Sequence, residues 1–424
     1  MTNWDWDVIV VGAGPAGLLS AARAAQRGRR TLLLEKNRKP GVKILMSGGT
    51  RCNLTQAVDT KEILAAFGVQ GRFLHSCLAE FGPQALVDLI EAEGVPTKVE
   101  PGGKIFPQSD RALDVQEALL RRLKHSGAQL ALAEPLSELT PLDDGFRLTT
   151  PVRTLTAQKV ILTTGGRSYP GCGTSGDGYR WAEALGHTIR PTFPALVPAT
   201  TAAPWVPLLK GITVPDVLVR VIPWDSPSAS PGETAGKAGE ILAQRRGSFL
   251  FAHFGLSGPA VLDVSRAISS RPRPRKLALS CDFLPDMPEA RFETELRHAC
   301  AADGKRQVLG ILGQWLPNRL AETLLAQAGV AVGQRAAELS KAHSRRILLA
   351  VKQQVIPVTG TLGFEKAEVT TGGVALEEVD SRTMQSKRLA NLYFAGELLD
   401  LDGPIGGYNF QAAFATGWRA GGEV

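Results

Sequence analysis

One segment limits the fold more than any other: "DVIVVGAGPAGLLSAARAAQRGRRTLLLEK", from Asp7 to Lys36. Asp7 to Val11 is a short β-branched apolar run, the mark of a buried parallel strand. Gly12, Gly14 and Gly17 follow in G-x-G-x-x-G spacing, with Ala13, Pro15 and Ala16 between them. Leu18 to Gln26 then reads as a helix, whose small Ala21, Ala22, Ala24 and Ala25 permit close packing on a sheet. Arg30 to Leu34 is the second strand, and it ends in Glu35, eighteen residues past Gly17. Each part has a mechanical reason. Gly12 allows the tight turn, Gly14 lets a pyrophosphate touch backbone, and Gly17 brings helix and strand together. Glu35 suits a ribose 2′-hydroxyl and disfavours a 2′-phosphate. Free N–H groups at the helix start favour the phosphates. The spacing therefore predicts a dinucleotide site for FAD or NAD, with Lys36 at its edge.

"GCGTSG" (171–176) matches the same expression, but Pro170 precedes it and no strand ending in an acid follows. One dinucleotide fold then serves the whole chain, which favours a tightly held cofactor that carries the chemistry. Near the other terminus lies "GELLDLDGPIGGYNFQ", 396–411. Leu392 to Ala395 reads as a buried strand closed by Gly396 and Glu397, an acid placed to hold polyol hydroxyls. Asp402 would act similarly or fix the loop by a turn hydrogen bond. Gly406 and Gly407 lead into a helix from Tyr408 to Arg419, whose first N–H groups favour an anionic ring. The two glycine segments together predict opposite ends of one FAD.

At 424 residues the chain is too long for one ordinary core. Five scattered cysteines, without CxxC or a Cys/His cluster, argue against a disulfide framework or zinc site and fit a reducing cytoplasm. No apolar run reaches the length of a membrane span. The net charge of +7 favours anionic ligands without naming one.

Further motifs carry a resemblance. "KILMSGGTRCNLT" (43–55) is similar to SGxGRCNxTN, "GGKIFPQSDRALDVQEAL" to G-x-x-FP-x-S-x-x-A, and "TTGGRSYPGCGTSGDGY" to TGG-x-SYP…GSTGDGY. "FAHFGLSGPAVLDVSR" and "VTTGGVALEEVDSRTMQSK" complete the set. The chain thus resembles the aminoacetone-oxidase-like, BaiN-type group of NAD(P)/FAD-dependent oxidoreductases, relatives of the two-dinucleotide-binding flavoproteins. That resemblance implies an α/β fold: a Rossmann-like FAD-binding domain (1–194 and 353–424) interrupted by a β-rich lobe (195–284) and a small helical lobe (285–352). Local patterns agree, with alternating runs such as "DVLVRVIPW" and "KLALSCDF" and helix-like periodicity from Pro288 to Val351.

The resemblance also implies FAD contacts. Gly12 to Gly17, Glu35 and Lys36 serve the ADP half, and Leu136 and Thr164, Gly165 and Gly166 lie beside the nucleotide. Arg51, Cys52 and Asn53 lie near ribityl or flavin, Gly48 is a further cofactor contact, and Lys43 reads either as reaching phosphate or as solvated. Gly396, Glu397, Asp402, Gly406, Gly407, Tyr408 and Asn409 face the flavin side. Thr50 stands where glycine is usual, and Gln56 where asparagine is usual. Candidates for catalysis are Arg51, to neutralise an anion, His253, whose ordinary pKa suits acid–base work, and Tyr169. Cys52 lacks a resolving partner and suits packing. Ser257 reads as an N-cap, and "RPRPRK" (271–276) as a solvated loop.

The implied activity is hydride transfer through flavin N5, either NAD(P)H-linked reduction of an unsaturated carbonyl or oxidation of a small amine. NADH or NADPH would visit transiently. A small-molecule substrate is expected, and nucleic acid is not: no RNA-binding motif is evident and aromatic residues total 6%. The alternative is an FAD-containing RNA-binding or tRNA-modifying protein.

Overall fold

The computed structural model describes residues 4–224, 240–271 and 277–424. The chain forms two compact units, Met1–Pro194 with Glu368–Val424, and Ala195–Ala367.

The first unit is built on the predicted strand–loop–helix–strand. Trp6–Val11, Pro15–Gln26 and Thr31–Leu34 form in sequence. The first two strands pair in parallel, Val8 opposite Thr31 through Val11 opposite Leu34. Thr154–Leu162 lies parallel on the other side of the first strand, and Leu392–Phe394 parallel to it in turn. An antiparallel hairpin, Glu138–Leu142 with Gly145–Thr149, completes that flank. The four residues Thr31–Leu34 are all buried, as a strand covered on both faces requires. The closing helix is longer than its sequence pattern, Tyr408–Glu423. It crosses the first helix at small residues: a Cβ on Gly417 would stand 2.4 Å from the Ala16 carbonyl oxygen, and one on Gly421 would stand 2.4 Å from that of Ser20. The Ser20 hydroxyl donates to the Gly417 carbonyl at 2.8 Å and fixes the crossing.

The second unit holds a seven-stranded antiparallel sheet around Thr213–Pro223, Ala243–Ala252 and Leu277–Asp282. It differs from the expected division in two ways. Helices Glu289–Ala302, Asn318–Gln327 and Lys341–Lys352 share one core with the sheet, through Phe292, Leu324 and Ile347 among others, so among the described residues no separate helical lobe forms. Gln354–Val358 pairs with Leu277–Asp282, which draws residues 353–367 into this unit instead of the first. The pattern of residues 353–367 marks a strand without marking its partner. The cap of helix Pro259–Val264 is Gly258 at φ +89, with Ser257 in the preceding strand. Residues 272–276 of the basic run lie outside the described residues. Among the described residues no helix is long and apolar enough to cross a membrane.

Candidate functional site

The three glycines of the first loop have separable duties. Gly12 sits at φ +102, and a Cβ there would stand 2.8 Å from the Thr163 carbonyl. At Gly17 a Cβ would fall 1.8 Å from the Gly12 carbonyl oxygen and 2.6 Å from Thr163 Oγ1. Around Gly14 an added Cβ meets nothing within 4 Å. Gly12 and Gly17 thus serve the turn and the packing, while Gly14 faces open space at the start of a helix, where phosphate oxygens are favoured. Glu35 is buried and its carboxylate organises the loops: Oε2 accepts from the Ala13 amide and Oε1 from that of Asn37, each at 2.8 Å. The backbone of Glu134 returns to the Glu35 carbonyl, which brings Leu136, itself core-buried, alongside. Lys36 donates to Ser175 and Asp177, both at 2.6 Å. Burial raises the Asp177 carboxyl, but hydrogen bonds from Lys36 and Ser175 outweigh it and leave the group below its ordinary value.

The C-terminal acid gathers the other loops. Glu397 Oε2 takes Lys43 Nζ at 2.5 Å, and Oε1 accepts from Ser168 Oγ at 2.7 Å and the Thr370 amide at 2.9 Å. Lys43 also donates to Ser168 Oγ at 2.9 Å. Thr370 Oγ1 receives the amides of Arg167 and Ser168. Gly166 is required in this knot, since a Cβ there would stand 2.4 Å from Thr370 Oγ1 and 2.9 Å from Glu397 Oε1. Gly396 (φ +74) and Gly165 (φ +72) take left-handed turns beside it. Asp402 accepts from Thr371 Oγ1 at 2.6 Å. Asn409 clamps its own loop, accepting from the Gly403 amide and donating to the Gly403 and Pro404 carbonyls. Ser168, Thr370 and Thr371 carried no sequence signal of their own, because their partners come from segments up to 229 residues away.

The RCN segment is wound tightly. Gly48, Gly49, Thr50 and Cys52 all have positive φ, 56°, 67°, 71° and 62°. Thr50 therefore occupies a conformation that favours glycine, and its β-branched side chain is strained there. Cys52 is fully buried, and burial pushes its thiol up to about 12, so it is no nucleophile at neutral pH. Arg51 is held by Glu100 at 2.6 Å and Asp110 at 3.2 Å, over the Phe106 ring at 4.0 Å. The Glu100 hydrogen bond leads the causes that raise its pKa.

Five side-chain oxygens buried among the described residues of this unit have no hydrogen-bond partner: Asn53 Oδ1, Thr55 Oγ1, Gln56 Oε1, Thr164 Oγ1 and Gln411 Oε1. The first four come from the RCN and TGG segments, and Gln411 belongs to the closing helix. Buried polar atoms are rarely left unpaired. Gly406 and Gly407 back onto the Thr55–Gln56 part of this set: a Cβ on Gly407 would stand 2.7 Å from Thr55 backbone, and one on Gly406 would stand 3.4 Å from Gln56 Oε1. Tyr408 opens the helix just beyond. An open glycine cradle and orphaned oxygens fit FAD, whose phosphates suit the first and whose hydroxyl and ring N–H donors suit the second.

Tyr169 belongs to this unit, half-buried at φ +58 with its carbonyl closing the turn to Cys172. His253 is in the other unit, exposed in the turn between Ala243–Ala252 and Gly255–Ser257, its ring edge-on to Phe254 at 4.9 Å.

A Rossmann sheet with this loop chemistry defines an FAD-dependent oxidoreductase. Residues 6–423 match the model of the HI0933-like protein Rossmann domain family, and the chain belongs to that family. It is 34% identical over 416 residues to the "Ribosomal RNA dihydrouridine synthase" of Escherichia coli (strain K12), spanning 97% of this chain and 96% of that one. It is 31% identical over 420 residues to the "3-dehydro-bile acid delta(4,6)-reductase" of Clostridium scindens, spanning 97% of each. The solved 3-ketosteroid delta1-dehydrogenase of Sterolibacterium denitrificans shares the fold at TM-score 0.50 and 15% identity, covering 98% of both chains. The expectation that nucleic acid is no partner now stands against a relative named for an RNA substrate.

Proposed function

We propose that this protein reduces a carbon–carbon double bond conjugated to a carbonyl, and that its substrate is a uracil base in ribosomal RNA. The observation that carries this is the pair of near-full-length relatives. Making dihydrouridine saturates the C5–C6 bond of uracil, which is conjugated to the C4 carbonyl. Removing a Δ4 bond beside a 3-oxo group is the same chemistry on a steroid. The RNA substrate is favoured by the higher identity, 34%, and by a net charge of +7, which suits a polyanion.

When bound, FAD supplies the hydride, drawn from NADH or NADPH as donor. The residues of the chain do the rest. The Gly12–Gly17 turn and the Pro15–Gln26 helix start would hold the pyrophosphate, with Glu35 fixing the turn from beneath. Asn53, Thr55, Gln56 and Thr164 offer acceptors to the flavin half. Lys43 and Glu397 lock the loops that carry Gly166 and Gly396. The reaction adds a hydride to the carbon remote from the carbonyl and a proton to its neighbour. Tyr169 is the proton-donor candidate in this unit.

A second reading, reduction of a small steroid-like enone, is favoured by the bile-acid reductase at 31% identity. Competing substrates separate the two. The FAD-loaded protein is incubated anaerobically with NADH or NADPH and either protein-free ribosomal RNA or a 3-oxo-Δ4 steroid. Dihydrouridine in the RNA digest, with the steroid unchanged, is expected. The reverse result would replace the RNA substrate with the steroid.

A further inference from the structure

Helix Lys341–Lys352 breaks local rules for a solvent-facing helix. From Leu339 through Phe364 the chain has no aspartate or glutamate, yet it carries Lys341, His343, Arg345, Arg346 and Lys352. Lys352 is buried and accounted for: it pairs with Asp282 at 2.7 Å and donates to the Leu284 and Met287 carbonyls. Lys341, Arg345 and Arg346 are exposed. Ile347, Leu348 and Val351 turn the other face into the core. At 100° per residue, Arg346 lies opposite the buried arc and Lys341 and Arg345 lie along its edge, all three exposed.

This placement is unfavourable on two counts. Cations in the first turns of a helix oppose its dipole, which prefers them at the C-terminal end. Lys341 and Arg345 are four apart, and like charges at that spacing repel. Among the described residues neither has an ion-pair partner. Arg246 and Arg245 in the same unit, by contrast, are ion-paired, Arg246 with Asp216 and Asp286 and Arg245 with Asp263. A helix capped correctly by Ser340, which accepts from the His343 amide, has no folding reason to carry such a charge stripe. Rules broken without a compensating fold contact mark functional surfaces.

We infer that the outward face of helix Lys341–Lys352 is a docking surface for the phosphate backbone of RNA. The inference rests on the RNA reading proposed above. A stripe of basic residues without acids matches a polyanion in charge. Contacts of this kind position the nucleic acid without reading its sequence.

The test uses the FAD-loaded full chain and protein-free ribosomal RNA, with affinity measured across a salt series. In Lys341→Ala/Arg345→Ala, alanine preserves helix propensity. Its affinity should fall about tenfold or more, and the slope of log affinity against log salt should lessen by about 1.5. Flavin content and the rate of flavin reduction by NADH or NADPH should be unchanged. Arg27→Ala/Lys124→Ala, removing two exposed basic residues of the other unit, should bind like wild type. Lys341→Arg/Arg345→Lys keeps the charge and should also bind like wild type. If Lys341→Ala/Arg345→Ala binds with wild-type affinity and slope, the docking face is refuted and the RNA reading stands. If the wild-type protein neither binds nor modifies the RNA but reduces the steroid, both fall.

Discussion

Two glycines of one motif should fail in opposite ways when each gains a methyl group. At Gly17 the added Cβ would lie 1.8 Å from a backbone oxygen that cannot rotate away. The first helix must then lift off the Gly12 turn, at a cost of about 3 kcal/mol or more. At Gly14 the new Cβ meets no atom within 4 Å, and the backbone at φ −79° accepts any residue. Gly14→Ala should change the stability of the FAD-free protein by no more than about 1 kcal/mol. Its methyl would nonetheless occupy the space offered to the pyrophosphate. Overpacking there of about 1–3 kcal/mol weakens FAD binding roughly 10–100-fold. The assay is denaturant unfolding of both variants without FAD, alongside FAD titration followed by flavin fluorescence. Gly14→Ala with wild-type affinity for FAD would refute the assignment of this loop as the phosphate cradle. So would Gly17→Ala that folds normally and loses only FAD.

Other perturbations have equally definite outcomes. Thr50→Gly should stabilise the protein by about 1 kcal/mol, seen as a higher midpoint of unfolding, because it relieves a β-branched residue at φ +71. Glu35→Ala removes the acceptor of the Ala13 and Asn37 amides, and the purified protein should carry less flavin; unchanged occupancy would count against the site. The Arg388 hydrogen bond, with those from Thr188, holds the Glu378 carboxyl down to about 2. A carboxylate lowered on folding stabilises above its unfolded pKa, and that stability is lost as pH falls from about 4.5 towards 2. With Arg388 half-exposed, the effect is on the order of 1–2 kcal/mol. Arg388→Met should flatten the acid limb of stability against pH in that window.

Gly12, Gly14 and Gly17 were legible in the sequence because strand period, glycine spacing and helix start are all local.

 The same holds for Glu35, whose place at the end of the second strand follows from the spacing alone. What it does there is less local: its oxygens serve the Ala13 and Asn37 amides. The Lys43–Glu397 pair joins residues 354 apart in sequence, and periodicity carries no information about such a meeting. Arg51 was readable as a charged site residue, but its partners Glu100 and Asp110 come from a later hairpin and turn. Thr50 was visible as a departure from a glycine position, and its φ supplies the physical reason that glycine is usual there. The boundary near 353 was misplaced because a strand's pattern shows that it is buried, and its pairing with Leu277–Asp282 is set by the tertiary fold.

The central claim is that flavin electrons pass from this protein to uracil in ribosomal RNA. The most direct measurement is an anaerobic visible spectrum of the FAD-loaded protein, reduced chemically and then mixed with protein-free ribosomal RNA. The account predicts that the oxidised flavin band returns in step with dihydrouridine formation in the RNA. A band that stays bleached with RNA, yet returns on adding a 3-oxo-Δ4 steroid, would contradict it.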